Sequence, residues 1–185
     1  ATLKEPIVWY ITKTVQLPDG RIVNALAPQV YLPTDMQDNV TTAMLGGQEV
    51  NIITKEDIVN TGTIKSNDIL SIVGGKITNI TGTLKGKDVA LQADEDISSI
   101  SGNIFAENNL TLEAGGNIDI STNVKKVGMN YGTKDVRDQI SQVKVGGDIL
   151  LNAGKDVVLG AANISAGGNI GIYSEGDTLI TDILL

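Results

Sequence analysis

The sequence predicts an all-β fold: a right-handed parallel β-helix of about six coils, with an N-terminal β-hairpin extension and one loop or hairpin excursion. A period near 20 residues runs from about residue 46 onward, with Gly, Asn and Asp at turn positions and β-formers between them. Each period is too short for a strand–helix–strand unit. Three short strands with inward aliphatic residues and tight corners are typical of one β-helix coil.

The first 45 residues break this period and are predicted to form a separate N-terminal part. Residues 7–17 and 21–27 are rich in β-formers and flank Pro18-Asp19-Gly20, where proline presets φ and glycine accepts a positive φ. This pattern predicts a β-hairpin. The predicted organisation is therefore a hairpin with its connecting segment over 1–45, and parallel β-helix repeats over 46–185.

The register of the repeats can be followed as aliphatic columns. In two columns that lie eight residues apart, successive members are separated by the same numbers of residues, 19, 20, 21, 39 and 21. The two columns are therefore predicted to belong to one repeating structural unit. The first column is Val50, Ile69, Val89, Leu110, Ile149 and Ile170. The second column is Ile58, Ile77, Ile97, Ile118, Val157 and Thr178.

Two further columns complete each coil. Residues two positions beyond the first column share its face, because side chains alternate along a strand. That column is Ile52, Ser71, Leu91, Leu112, Leu151 and Ile172. The last column is Ile64, Leu84, Ile104, Val143, Ile164 and Leu185. The residues predicted to form the structural core are Val50, Ile58, Ile77, Val89, Ile97, Leu110, Leu112, Ile118, Ile149, Val157, Ile164 and Ile170.

One coil is interrupted. Ile118 and Val143 are 25 residues apart in sequence, where the corresponding separation in the later coil, from Val157 to Ile164, is 7. An excursion of 18 residues is therefore predicted at about 122–140. We predict a solvated loop or small hairpin; the alternative is a contact surface for a partner.

The composition argues against an enzyme. The chain has no histidine, no cysteine, one Trp and one Phe, so the common general base, the thiol nucleophile and the usual transition-metal ligands are missing. We predict no catalytic, cofactor-binding or metal-binding residue and no cofactor. A net charge of −8 argues against nucleic acid as a partner, because phosphate binding needs Lys and Arg.

Two alternatives for the acidic residues stay open. Asp and Asn residues, together with Glu49 and Lys76, precede the first two columns, where they would form ladders at the corners. Turn formation is the main interpretation and Ca²⁺ binding the alternative. The clusters Asp94-Glu95-Asp96 and Glu56-Asp57 could belong to a polysaccharide-active β-helix enzyme. Such sites need converging carboxylates and aromatic walls, whereas aromatic residues are 3% here. Paired glycines, as at Gly115-Gly116, favour tight corners.

Several segments resemble the haemagglutinin repeats of filamentous-haemagglutinin-like, two-partner-secretion exoproteins. They are NTGTI at 60–64, AGGNIDIS at 114–121 and AGKDVVLGAANISAGGNI at 153–170. LPDG at 17–20 followed by APQVYL at 27–32 is similar to a stretch that precedes such repeats in those proteins. The family includes adhesins and the toxin-delivery proteins of contact-dependent growth inhibition.

The resemblance implies secretion through an outer-membrane partner transporter and display on the surface of a Gram-negative bacterium. The partner there would be a target-cell or host surface receptor. The expected function is a structural shaft segment that supports adhesion; the alternative is a repeat block that aids toxin delivery. The start of the sequence has no signal-peptide pattern, and the family's amino-terminal secretion domain and carboxy-terminal toxin are not recognisable, so we expect an internal piece.

Overall fold

The computed structural model describes residues 7–16, 22–31, 43–129, 132–137 and 139–182, and side chains in 43–123 and 139–182. The chain divides into two compact units, Ala1–Thr42 and Ala43–Leu185. Every regular element among these residues is a β-strand. The described part of the chain contains no helix suited to crossing a membrane.

The first unit contains an antiparallel hairpin. Strand β1 (Ile7–Gln16) pairs with β2 (Ile22–Tyr31), from Ile7 opposite Tyr31 to Gln16 opposite Ile22. The predicted hairpin is confirmed, and its second strand continues to Tyr31 rather than ending near residue 27. The Pro18-Asp19-Gly20 turn lies outside the described residues.

The second unit contains three six-stranded parallel sheets. Sheet A consists of β3 (Met44–Gly47), β6 (Thr63–Ser66), β9 (Thr83–Gly86), β12 (Asn103–Ala106), β17 (Gln142–Val145) and β20 (Asn163–Ala166). Sheet B consists of β4 (Val50–Ile53), β7 (Ile69–Gly74), β10 (Asp88–Ala93), β13 (Leu110–Ala114), β18 (Ile149–Ala153) and β21 (Ile170–Ser174). Sheet C consists of β5 (Ile58–Asn60), β8 (Ile77–Ile80), β11 (Ile97–Ile100), β14 (Ile118–Ser121), β19 (Val157–Gly160) and β22 (Thr178–Thr181). An antiparallel pair, β15 (Val124–Met129) and β16 (Gly132–Arg137), completes the unit.

Each coil takes one strand from sheets A, B and C in turn, and the next coil repeats the order one strand spacing further along. Each strand therefore finds its hydrogen-bond partners in the coils on either side, which a unit of about 20 residues could not supply alone. Six such coils confirm the predicted parallel β-helix. Its right-handed sense stays a prediction.

The inward columns form one hydrophobic core. Nine of the twelve predicted core residues are buried, and Ile58 and Ile164 are partly buried against them. Ile170 is the exception, with 48% of its surface exposed. β21 is the last described strand of sheet B, so no described strand covers Ile170. The nine are Val50, Ile77, Val89, Ile97, Leu110, Leu112, Ile118, Ile149 and Val157.

The predicted register was wrong by one residue in the second coil. Val50 pairs with Leu70 rather than Ile69, so the first period is 20 residues and the second 19. Leu70 is fully buried, whereas Ile69 is 43% exposed. The same shift turns Ser71 outward and brings Ile72 into the core, which removes the one polar residue from that predicted column.

Candidate functional site

The second inward column of sheet C changes from polar to apolar along the stack. We call it the mixed column: Asn60, Asn79, Ser99, Ile120, Leu159 and Ile180, one from each coil. The Asn60 side-chain amide donates to Asn79 Oδ1 at 2.8 Å, and the Asn79 amide donates to Ser99 Oγ at 3.3 Å and to the Gly82 carbonyl at 3.2 Å. Each buried amide is therefore paired, which burial of a polar group requires.

A glycine makes room for this polar ladder. A Cβ on Gly82 would come within 2.5 Å of both Asn60 Nδ2 and Asn79 Oδ1, so no larger residue fits there without displacing the ladder. The residue before it, Thr81, takes a left-handed conformation with φ of 54°. Ser101 and Ala161 have the same conformation at the same corner of later coils. This corner, between sheets C and A, is therefore a sharp turn that also closes over the buried amides.

A ladder of Asp and Asn runs along the corner between sheets A and B. Asp88 Oδ1 accepts the backbone N–H of Asn109 at 3.2 Å, and Asn109 Oδ1 accepts that of Asp148 at 3.1 Å. Asp148 Oδ1 in turn accepts the N–H of Asn169. Each side chain thus satisfies a backbone donor of the following coil, as predicted for a corner ladder. At the same corner, one coil before Asp88, the Asp68 carboxylate forms an ion pair with the Lys87 ammonium, with 3.6 Å between Oδ1 and Nζ.

A second ladder occupies the corner between sheets B and C. Asp96 Oδ1 accepts the backbone N–H of Asn117 at 2.8 Å, and the ladder continues through Asn117 and Asp156 to the N–H of Asp177. The Lys76 ammonium lies 3.2 Å from Asp96 Oδ2. The Asn117 N–H is the main cause that lowers the pKa of Asp96; partial burial opposes it, and Lys76 adds to the lowering.

These corners organise the carboxylates along the stack rather than around a cleft. Among the described residues, no three acidic side chains converge closely enough to hold a metal ion. In the acidic cluster considered for polysaccharide chemistry, Asp94 and Glu95 are exposed at the corner. Asp96 accepts a hydrogen bond from Asn117 and forms an ion pair with Lys76. The arrangement is suited to pairing coils, since each acceptor faces a fixed N–H donor.

The outer surface of sheet A differs in charge from the corners. Lys65, Lys85, Phe105 and Lys144 occupy one outward column on successive strands, and we call it the lysine face. The three lysines are exposed, and none has an ion-pair partner within the described part of the chain. Beside the column runs a row of hydroxyl and amide side chains, Thr63, Thr83, Asn103 and Gln142.

The excursion leaves and rejoins the stack at the corner between sheets C and A. Its strands β15 and β16 pair antiparallel, which agrees with the small hairpin, one of the two predicted forms of this segment. Thr122 donates its hydroxyl to the Ala161 carbonyl at 2.7 Å and accepts the Ser141 N–H at 3.0 Å. Ser141 also donates to the carbonyl of Gly102 at 3.1 Å. The two ends of the hairpin are thus joined to each other and to the coils on both sides.

Comparison with known proteins gives two relatives, both named as tRNA nucleases of the CdiA type. The chain is 26% identical over 151 residues to the tRNA nuclease CdiA-2 of Burkholderia pseudomallei, covering 78% of the chain and 5% of that protein. It is 27% identical over 194 aligned residues to the tRNA nuclease CdiA of Yersinia mollaretii, covering 96% of the chain and 6% of that protein. No family model and no solved structure matches. The chain therefore spans about a twentieth of each relative's length.

Sequence reasoning missed both the mixed column and the lysine face. Asn60, Asn79 and Ser99 each lie two residues after a predicted core position, so the strand alternation that placed the other columns would have found them. Lys65, Lys85, Phe105 and Lys144 each directly follow a member of the last predicted column. The signal in the sequence was that lysine recurs at the position directly after the last predicted column, which points outward from the core.

Proposed function

We propose that this chain is a shaft segment of a secreted bacterial surface exoprotein. The observation that carries the proposal is the similarity to CdiA proteins along most of the chain, which spans only 5% and 6% of their length. A stack of coils joined through backbone bonds and corner ladders is suited to a spacer, because its length grows by one strand spacing per coil. The resemblance to haemagglutinin repeats supports the same conclusion.

The segment acts without catalysis of its own in this proposal. Three of the corner carboxylates, Asp88, Asp96 and Asp156, accept hydrogen bonds from the next coil. The chain has no histidine or cysteine to replace them. The nuclease activity in the relatives' names is then assigned to some other part of those much longer proteins.

Toxin delivery is the role that the relatives favour, since both are named tRNA nucleases. The proposed partners are an outer-membrane transporter during secretion and a receptor on the target cell. The proposed location is the surface of a Gram-negative bacterium. Adhesion is the second candidate, and the observation in its favour is the exposed lysine face, which offers unpaired cations to a partner.

Deletions in the full-length gene product test the shaft. Removing 89–109 takes out one whole coil and lets Leu110 assume the place of Val89, so we expect surface display to persist. Removing 89–98 takes out half a coil and brings outward residues into the core, so we expect display to be lost. Antibody labelling of intact cells measures both. Equal loss from the two deletions would contradict a modular shaft.

The same strains separate delivery from adhesion. Growth of target bacteria in co-culture measures delivery, and the number of cells retained on a host-cell layer measures adhesion. With the whole-coil deletion displayed, retained growth inhibition supports the delivery shaft. Retained attachment without any growth inhibition in the parent strain supports the adhesive shaft instead.

A further inference from the structure

Among the strands of the three parallel sheets, positive charge is confined to sheet A. The strands of sheets B and C contain no Lys or Arg, whereas those of sheet A contain Lys65, Lys85 and Lys144 and no Asp or Glu. The chain as a whole carries −8. The lysine face is therefore a local reversal of the surface charge, in the one of the three parallel sheets whose strands lack carboxylates.

The lysines are held close together without compensation. Register places Lys65 beside Lys85, at the strand spacing of about 4.8 Å, where two ammonium groups repel each other. The described residues provide no carboxylate partner for the three lysines of the face. An anionic ligand would remove this repulsion, whereas in its absence the column only costs stability.

Phe105 adds an aromatic surface inside the column. It lies between Lys85 and Lys144 in register and is partly exposed. A ring flanked by two cations can contact the apolar face of a sugar ring while the cations bind its acidic groups. The neighbouring row, including Asn103 and Gln142, offers hydrogen bonds to sugar hydroxyls.

The two edges of the face differ. Along the corner toward sheet B lie acidic residues such as Asp68 and Asp148, whereas the corner from sheet C contains only uncharged residues at 61–62, 81–82, 101–102 and 161–162. The excursion hairpin leaves from that uncharged corner. Its two strands contain four basic residues, Lys125, Lys126, Lys134 and Arg137, and one acidic residue, Asp135.

We infer that the lysine face is a binding surface for an anionic polysaccharide that lies along sheet A, crossing successive coils. Three lysines span three strand spacings, about 14 Å, so a chain with acidic groups at intervals can contact several of them at once. The acidic corners and the net charge disfavour a polyanion as densely charged as nucleic acid. This inference extends the proposed shaft by giving it a ligand.

Calorimetric titration of the 185-residue chain with polygalacturonate oligosaccharides tests the surface. We expect binding that weakens with added salt, and a loss of about tenfold in affinity for Lys85→Gln/Lys144→Gln, from about 0.7 kcal/mol for each exposed charge contact. Phe105→Leu should weaken binding about threefold by removing the ring. The matched control is Lys55→Gln/Lys155→Gln, which removes the same charge from exposed corner lysines and should change affinity by less than about twofold.

Four results would overturn the inference. They are no binding by the parent chain, equal losses in the two double variants, equal affinity for fully methyl-esterified oligosaccharides, and equal affinity for a single-stranded DNA of matched charge. Thermal unfolding of each variant checks that the fold is intact, as expected for exposed side chains. Because this experiment uses the isolated chain and the deletions use the full-length product, either proposal can fail while the other stands.

Discussion

The two halves of the mixed column occupy equivalent interior positions with side chains of opposite polarity. Asn60, Asn79 and Ser99 fill it with hydrogen-bonded polar groups, and Ile120 and Leu159 fill it with aliphatic side chains. The backbone register is continuous across the change, since Ser99 pairs directly with Ile120. The coil geometry therefore does not require an apolar residue at this position. It requires that whatever is buried is either apolar or fully paired.

The strongest test places a charge in the apolar half. Ile120→Asp would bury a carboxylate beside Leu159, so we expect a loss of about 4 kcal/mol or more in the free energy of unfolding. The matched control is Ile180→Asp in the last coil, where 72% of the side chain is exposed and the loss should stay within about 0.5 kcal/mol. Denaturant unfolding measures both. Similar losses would show that the column is not buried as described.

Truncation in the neighbouring columns measures what the aliphatic interior contributes. Leu112→Ala and Ile97→Ala each remove a side chain that is at most 1% exposed, so each should cost about 2–5 kcal/mol through lost burial and a cavity. Thermal and denaturant unfolding provide the values. A cost below about 1 kcal/mol at both positions would mean that the inner columns do not set the stability of the stack.

Breaking the polar half should cost less than breaking the apolar half. Asn79→Ile removes the acceptor of the Asn60 amide and the donor to Gly82, and we expect a loss of about 1–3 kcal/mol. Replacing both amides, as Asn60→Val/Asn79→Ile, should cost less than the sum of the single changes, because no orphaned partner is left. A strictly additive double-mutant cycle would contradict the coupling of these two amides.

Removal of the excursion should have a smaller effect than any change in the interior. Replacing 124–138 with a short Gly/Ser linker keeps Thr122 and Ser141, which join the ends of the hairpin to the coils. We expect a change in stability of about 1 kcal/mol or less, set by loop entropy. If calorimetry showed a larger loss than for Ile97→Ala, the hairpin would have to be part of the core.

The smallest expected effect is electrostatic. Asp96 has a lowered pKa in the folded state, so its ionised form adds stability above its unfolded pKa, and this addition is lost as pH falls through the folded pKa. Asp96→Asn should therefore cost less than about 1 kcal/mol at pH 7, and the difference from the parent should shrink on acidification. Unfolding curves between pH 7 and pH 3 check the sign. A difference that grows toward acid would contradict the assignment.

The sequence predicted the coils well because aliphatic spacing and corner glycines depend on local geometry. It failed in the second coil, where Ile69 and Leu70 are adjacent aliphatic residues and only pairing with Val50 decides which one points inward. Ile170 stays half-exposed because β21 is the last described strand of sheet B, so its burial cannot be read from the spacing alone. The lysine face was missed although Lys65, Lys85 and Lys144 directly follow members of the last predicted column, because only the inward columns were followed along the sequence.

Because Thr122 and Ser141 are hydrogen-bonded to each other, the number of residues inserted between them does not change the distance that the chain advances along the stack. The chain departs after β14, travels 20 residues and returns to β17, yet β12 and β17 are hydrogen-bonded neighbours as if nothing had intervened. An insertion at this corner therefore leaves the strand pairing of the neighbouring coils unchanged. The same corner is a place where foreign peptides or whole domains can be grafted, with their height along the rod fixed by the choice of coil.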